Sequence, residues 1–304
     1  MLIYFQKLCS KLWYASSTRS KVILTLFMAL THNFFYSADK GAFTLLFDLS
    51  EVLFTTSRKG MFDELGWAST VWYIGFGGSQ KALELATFKT LSLMGEQKGK
   101  DSDLVLSPDG YRLPLVMCEW LAGRKSGTSI IKAAHMYLDT AKERGCFSSN
   151  TEKELAGRVI EAIFDPEKLA KNTIAISGAE ELLHACVAER DTHGNRKHRL
   201  LVHANWDPWS YRLLRKSQHG SKILKFFKNG DIVISGETGF LRPQAVAFED
   251  LIKRYNLVVA RCIVISAQIE MVQAAWAMGM RGIHVKNQDL NELRHELRKL
   301  EVLN

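Results

Sequence analysis

The sequence predicts an open parallel α/β sheet in three layers, Rossmann-like, with a helical unit inserted after its first strand. Three observations predict it. A short apolar run at residues 43–47 ends on an acid, Asp48. Runs of this kind, bounded by polar residues, suit a strand buried on both faces. From about residue 180, strand-length apolar runs alternate with helix-length amphipathic segments, the pattern of parallel βαβ units. Between these regions lie about 115 residues whose apolar positions recur only at helical spacing.

In chain order, residues 1–38 contain no acid but carry Lys7, Lys11, Arg19 and Lys21. An uncharged run, 22–30, follows, and small residues stand at Ser37 and Ala38. This is the layout of a secretory signal. Thr31, His32 and Asn33 interrupt the run, so it is short for a spanning helix. The expectation is export to the periplasm or cell envelope, with membrane contact only through this segment if it stays uncleaved. If 1–38 is not a signal, the expectation is a cytoplasmic protein. Removing the segment takes the formal charge from +8 to +4, which weakens any argument from basicity.

At 304 residues, with 47% hydrophobic and 24% charged residues, the chain has a globular composition. Five prolines argue against disordered linkers. The densest basic stretch, 222–228, interleaves Ile223, Leu224, Phe226 and Phe227, so it reads as an amphipathic helix end with a solvated face. No nucleic-acid partner is expected. Cys9, Cys118, Cys146, Cys186 and Cys262 show no CxxC spacing and give neither a zinc site nor a disulfide framework.

The middle of the chain reads as helices. Leu83, Leu85, Ala86, Phe88 and Leu91 form one face. Ile130, Ile131, Ala134, Tyr137 and Leu138 form a second, with Thr128 and Ser129 as candidate caps, and Leu155, Val159, Ile160 and Ile163 a third. Gly75, Gly77 and Gly78 before Ser79 and Lys81 miss the phosphate-loop spacing and read as a helix junction. His184, His193, His198 and His203 make no ligand pair, and no metal site is expected from them. The second half predicts strands at 199–206, 231–235, 261–265 and 282–285. It predicts helices at 180–189, 209–217, 244–255 and 269–278, with Pro243 in the first turn of the third. The domain reading is a leader at 1–38, an α/β core from 39–57 and 174–304, and a helical cap at 58–173.

In parallel sheets, ligands bind at the carboxyl ends of strands. Asp48 is therefore a candidate nucleophile or metal ligand, or else an acid capping a turn. Four stretches in order sharpen this choice. They are Phe47-Asp48-Leu49-Ser50-Glu51-Val52-Leu53, Val202-His203-Ala204-Asn205-Trp206-Asp207, Ser235 to Pro243 (Ser-Gly-Glu-Thr-Gly-Phe-Leu-Arg-Pro), and Ile263 to Glu270 (Ile-Val-Ile-Ser-Ala-Gln-Ile-Glu). Gly279-Met280-Arg281-Gly282-Ile283 continues the fourth. Together they resemble the four motifs of the haloacid dehalogenase-like hydrolase superfamily, over residues 43–57 and about 175–290. The resemblance implies a Rossmann-like core with the helical insertion as its cap, and Asp48 as the nucleophile of a covalent mechanism.

Measured against that pattern, the supporting groups are altered. Ser50 stands where the phosphatases place a second aspartate as general acid and base, and a hydroxyl cannot trade protons near pH 7. Ala204 replaces a hydroxyl that binds the transferring phosphoryl group. Losing such a donor costs roughly 10²–10³ in rate, and Asn205 offers its amide as partial compensation. Arg242 replaces a lysine, keeping the charge but changing its reach. Ser266 and Ala267 replace the acidic pair that holds Mg²⁺, an ion that needs hard oxygen ligands.

The expectation is a hydrolase-fold protein with an impaired centre. Asp48, Ser50, Asn205 and Arg242 stand at the catalytic positions, with Asn205 and Arg242 as phosphate binders. Ala204, Ser266 and Ala267 are degenerate positions. No cofactor is expected, and the ligand is a small anionic or phosphorylated molecule or a protein partner. The alternative is an active phosphatase-type hydrolase, or less readily a dehalogenase, with Asp48 as nucleophile. In the phosphatase form it needs Mg²⁺, with Asp207, Glu237 or Glu270 as rescue ligands.

Overall fold

The computed structural model describes residues 41–66, 79–94 and 113–304. The predicted leader at 1–38 and the glycines Gly75, Gly77 and Gly78 lie outside the described residues. No helix among the described residues is long and apolar enough to cross a membrane.

The first strand, β1 (Thr44–Phe47), is the centre of a five-stranded sheet. Its neighbours are β4 (Arg199–Ala204) and β6 (Cys262–Ser266), with β5 (Ile232–Ile234) and β7 (Arg281–His284) at the edges. Every pairing is parallel. Side chains alternate between two cores, as strand periodicity requires. Leu45, Phe47, Leu200, Val202, Ile263 and Ile265 enter one core, and Leu46, Leu201 and Val264 the other. Neither face of the central strand meets water, which is why it reads as an unbroken apolar run rather than an alternation.

Helices cover both faces. On one side pack α7 (Ala179–Ala188), α8 (Pro208–Lys216), α9 (Gln218–Leu224) and α13 (Leu290–Lys299). On the other pack α11 (Ala245–Tyr255) and α12 (Ile269–Ala277). The short α10 (Ser235–Thr238) follows β5 directly. The predicted strands and helices of this half agree with these elements to within two residues at most ends. Two differences stand out. Pro243 follows a cis peptide from Arg242 and precedes α11 instead of sitting in its first turn. The basic stretch at 222–228 is helical only as far as Leu224, and it buries Ile223, Leu224 and Phe227 against the sheet.

Several elements were not read from the sequence, α10 among them. α13 is amphipathic, with Leu290, Leu293 and Leu297 buried and Asp289 capping its start. A two-stranded antiparallel ribbon joins β2 (Phe54–Thr56) to β3 (Thr173–Ala175). These strands are the entry to and exit from the helical insertion. At three residues each they are too short to show a period.

The insertion contains α1 (Arg58–Leu65), α2 (Gln80–Leu93), α3 (Leu115–Leu121), α4 (Gly127–Glu143), α5 (Asn150–Phe164) and α6 (Pro166–Asn172). Side chains of Ser57, Ser79, Ser126, Ser149 and Asp165 cap α1, α2, α4, α5 and α6, each accepting from a first-turn N–H. The cap of α4 is thus Ser126, not Thr128 or Ser129, which lie inside its first turn. This unit has its own core, including Leu83, Ile130, Leu138, Leu155 and Ile160, with Trp120 edge-on to Phe164 at 4.8 Å. Leu85 and Tyr137, expected on the packed faces, are 46% and 38% exposed. A contact face narrower than a whole helical stripe leaves its flanking apolar residues in solvent. Gly127 is required where α4 starts, since a Cβ there would lie 1.7 Å from the Phe164 carbonyl oxygen.

Buried thiols and imidazoles complete the core. Cys118, Cys146, Cys186 and Cys262 are free, and burial pushes the Cys186 and Cys262 thiols up to about 12, which keeps them unreactive. The His198 Nδ1 accepts from the Phe43 N–H at 3.1 Å, and its Nε2 is buried without a partner. Burial holds His198 down at about 4. Burial, and secondarily the Arg242 charge, holds His203 well below its ordinary value. The unfolded chain binds these protons near pH 6.5, whereas the folded chain does not until near pH 4 for His198. Stability is therefore expected to fall continuously as pH drops from about 6.5 to about 4, at about 1.4 kcal/mol per unit for each neutral histidine. Melting temperatures between pH 7 and 4.5 test this, and His198→Asn, which keeps an acceptor without the proton site, should flatten the slope.

Candidate active site

The carboxyl ends of the central strands converge as their register dictates. Phe47 pairs with both Val202 and Ile265, so the next residues of the three strands share one level. There Asp48 is buried, 4% exposed, with its backbone N–H donating to the Ile265 carbonyl at 2.9 Å. Its carboxylate makes one ion pair and accepts two hydrogen bonds. Oδ1 lies 2.8 Å from Arg242 Nη2 and accepts from the Leu49 N–H at 2.9 Å, and Oδ2 accepts from the Ser266 hydroxyl at 2.8 Å.

Arg242 arrives from the loop after α10. Its side chain is 2% exposed and among the largest fully buried in the protein. The Nε has no partner. Its main chain is clamped by Asn205, whose Oδ1 accepts from the Arg242 N–H at 2.9 Å and whose Nδ2 donates to the Arg242 carbonyl at 2.7 Å. Asn205 thus positions the arginine loop. Ser266, fully buried, also accepts from the Gln268 N–H at 3.2 Å. Ala204 is buried in the sheet core, and Ala267 packs against that core while its carbonyl meets His284 Nε2 at 3.0 Å. Of the residues singled out by sequence, Asp48, Arg242 and Ser266 are in direct contact, and Asn205 joins them through the backbone.

Ser50 stands apart. It is exposed and lines a cleft of about 170 Å³ between the core and the helical insertion, shared with Glu51, Asn205, Trp206, Asp207 and Trp120. Neither Asp48 nor Arg242 lines this cleft. The Glu51 carboxylate accepts from the Thr55 hydroxyl at 3.1 Å and from Gln288. The cleft is closed by a clamp between insertion and core. Ser235 donates to the Leu121 carbonyl at 2.7 Å and accepts from the Trp206 N–H at 3.0 Å. Beside it Gly123, at φ +70, approaches so closely that a Cβ would lie 2.3 Å from the Gly236 carbonyl oxygen. The two tryptophan walls and the Gln288 contact carry no sequence signal, since they are set by packing between distant segments.

The acids considered as rescue ligands serve elsewhere or stand apart. Asp207 caps α8, accepting from the Trp209 and Ser210 N–H groups at 3.1 and 3.0 Å and from the Ser210 hydroxyl. Burial raises its carboxyl above the ordinary range. Glu237 is exposed on α10, and Glu270 lies in the first turn of α12 with one buried oxygen lacking a partner. Among the described residues no three His, Cys, Asp or Glu side chains gather into a metal cluster. The donor set at Asp48 does not fit magnesium. The ion needs several hard oxygens in an octahedron, whereas here a guanidinium, an amide N–H and a hydroxyl already point hydrogens at the one carboxylate present.

No family model matches the chain, and no curated protein does. Solved structures do resemble it. One is a predicted HAD-like family hydrolase from Porphyromonas gingivalis, at 16% identity and TM-score 0.46, covering 85% of this chain and 98% of that one. A second is a HAD family enzyme from Bacteroides thetaiotaomicron in complex with magnesium and inorganic phosphate, at 12% identity and TM-score 0.46, covering 83% and 99%. A third is L-2-haloacid dehalogenase from Xanthobacter autotrophicus with chloropropionic acid covalently bound, at 14% identity and TM-score 0.42, covering 86% and 85%. In fold, the chain is a five-stranded parallel α/β sheet with a helical insertion after its first strand, in which the segments carrying Asp48, Asn205, Arg242 and Ser266 meet at the carboxyl end of the central strands.

Proposed function

We propose that this protein is a non-catalytic member of that fold, in which the hydrolytic centre has become a buried ion-pair lock and the remaining activity is binding at the cleft. The observation that carries this reading is the state of the Asp48 carboxylate, which is buried, pairs with Arg242 at 2.8 Å and accepts from Leu49 and Ser266 at 2.9 and 2.8 Å. A carboxylate nucleophile needs a free lone pair aimed at its electrophile. Here a fixed cation and two further donors engage both oxygens. The groups that would complete a turnover are absent from the same places, with Ser50 in place of an acid–base carboxylate and Ala204 in place of a donor. The basic-then-apolar leader supports an exported location for the binder.

The test is hydrolysis of p-nitrophenyl phosphate by the full-length protein with and without Mg²⁺. The expected result is no turnover above the blank in either condition. Magnesium-dependent turnover that vanishes in Asp48→Asn would overturn the reading.

A further inference from the structure

The charge of the cleft differs from that expected of a site for anions. Among the described residues its lining contains two carboxylates, Glu51 and Asp207, and no lysine, arginine or histidine. Arg242, the cation assigned by sequence to ligand binding, lies outside the lining, with its charge offset by Asp48 at 2.8 Å. A phosphate or carboxylate entering here would shed its hydration with no countercharge, the costliest form of burial. The two acids differ in what they leave available. Asp207 faces the N-terminus of α8, whose N–H groups and dipole offset its charge. Among the described residues Glu51 receives neutral donors, Thr55 and Gln288, and no cation pairs with it.

The walls complete the specification. Phe54, Trp120 and Trp206 line the cleft, mostly buried in the flanking cores, with Leu121 and Leu169 beside them. Aromatic side chains and a carboxylate beside them are the two features that recognise organic cations. At about 170 Å³ the space is below the roughly 300–1,000 Å³ of ordinary small-molecule sites, so the ligand is small.

We infer that the cleft takes a small organic ammonium ion, its apolar body against Trp120 and Trp206 and its charge facing Glu51, a ligand class that rests on the non-catalytic reading above. The test is calorimetric titration of the full-length protein with three probes of one shape, benzylammonium, benzyl alcohol and phenyl phosphate. Benzylammonium is expected to bind saturably, benzyl alcohol roughly tenfold more weakly, and phenyl phosphate not at all. Glu51→Gln is expected to remove the preference for benzylammonium over benzyl alcohol. Because Glu51 also bonds Thr55 and Gln288, a second variant guards against misfolding. Ser50→Lys, at an exposed position, places a cation in the cleft and should abolish benzylammonium binding while admitting phenyl phosphate. Phenyl phosphate bound but not hydrolysed by the wild type overturns the inference and leaves the non-catalytic reading intact. Its Mg²⁺-dependent hydrolysis overturns that reading. Absence of saturable binding by all three probes overturns the inference alone.

Discussion

Arg242→Ala is expected to destabilise the protein by about 3–5 kcal/mol, the usual cost of leaving one member of a buried ion pair alone. For a chain of this size that lowers the melting temperature by on the order of 10 °C. The penalty arises because the Asp48 carboxylate, 4% exposed, keeps only Leu49 and Ser266 as donors and has no cation. Asp48→Ala should cost a similar amount, since it strands a guanidinium whose Nε already lacks a partner. The double variant Asp48→Leu/Arg242→Met should recover most of the loss, because an apolar pair avoids the desolvation that both charges now suffer. Thermal melts of wild type, Asp48→Leu, Arg242→Met and the double variant form a double-mutant cycle that reads the coupling directly. A melting temperature for Arg242→Ala within 1 °C of wild type would show that the pair is not a lock. The cycle also bears on function. A nucleophile kept for chemistry can be removed with little loss of fold, whereas a residue kept for structure cannot.

The sequence made the scaffold legible because its signals are short-range. β1, β4 and β6 are mostly apolar runs, broken in β4 only by His203 inside its span, and that pattern follows from burial on both faces of a parallel sheet. The helices α7, α8 and α12 show their buried faces in four or five positions each. Pieces below that length were not legible. β2 and β3, of three residues each, have no period to read. α13 is long enough, and its Leu290, Leu293 and Leu297 spacing with Asp289 before it was a signal that could have found it.

The site was legible as a set of positions and not as a set of contacts. Motif order placed Asp48, Arg242, Asn205 and Ser266 at one edge of the sheet, and the structure brings them there. What Asn205 does was not readable, because its amide turns to the backbone of Arg242, 37 residues away in sequence. Ser266 read as a lost acid, yet its hydroxyl, 218 residues from Asp48 in sequence, supplies one of the three contacts that hold the carboxylate. Trp120, set on a short helix of the insertion, becomes a cleft wall only through the clamp between Leu121 and Ser235. Such pairings are decided by packing across the chain, and no local pattern carries them.

Adding one acid at the carboxyl end of the central strands should make the site metal-responsive, and stability measures the conversion. In Ser266→Asp a second carboxylate stands within hydrogen-bonding range of Asp48, where the serine hydroxyl now lies at 2.8 Å. Two carboxylates this close cannot both ionise cheaply, and only one guanidinium is present to offset them. The variant is expected to melt several degrees below wild type in EDTA. Magnesium binding to the folded state alone would then return stability as RT ln(1 + [L]/Kd), about 1.4 kcal/mol at ten times Kd. That corresponds to roughly 3–6 °C by the same size scaling. The wild type, whose Asp48 oxygens are engaged by Arg242, Leu49 and Ser266, should show no shift in the same titration. Differential scanning fluorimetry of both proteins from 0 to 20 mM MgCl₂, with CaCl₂ as a size control, separates the outcomes. A magnesium-dependent rise in the wild type would mean that Arg242 yields the carboxylate to a cation, and the lock would be a gate instead. A rise confined to the variant would show that one added carboxylate beside Asp48 is enough to hold the ion, because the fold around it already presents the other ligand in place.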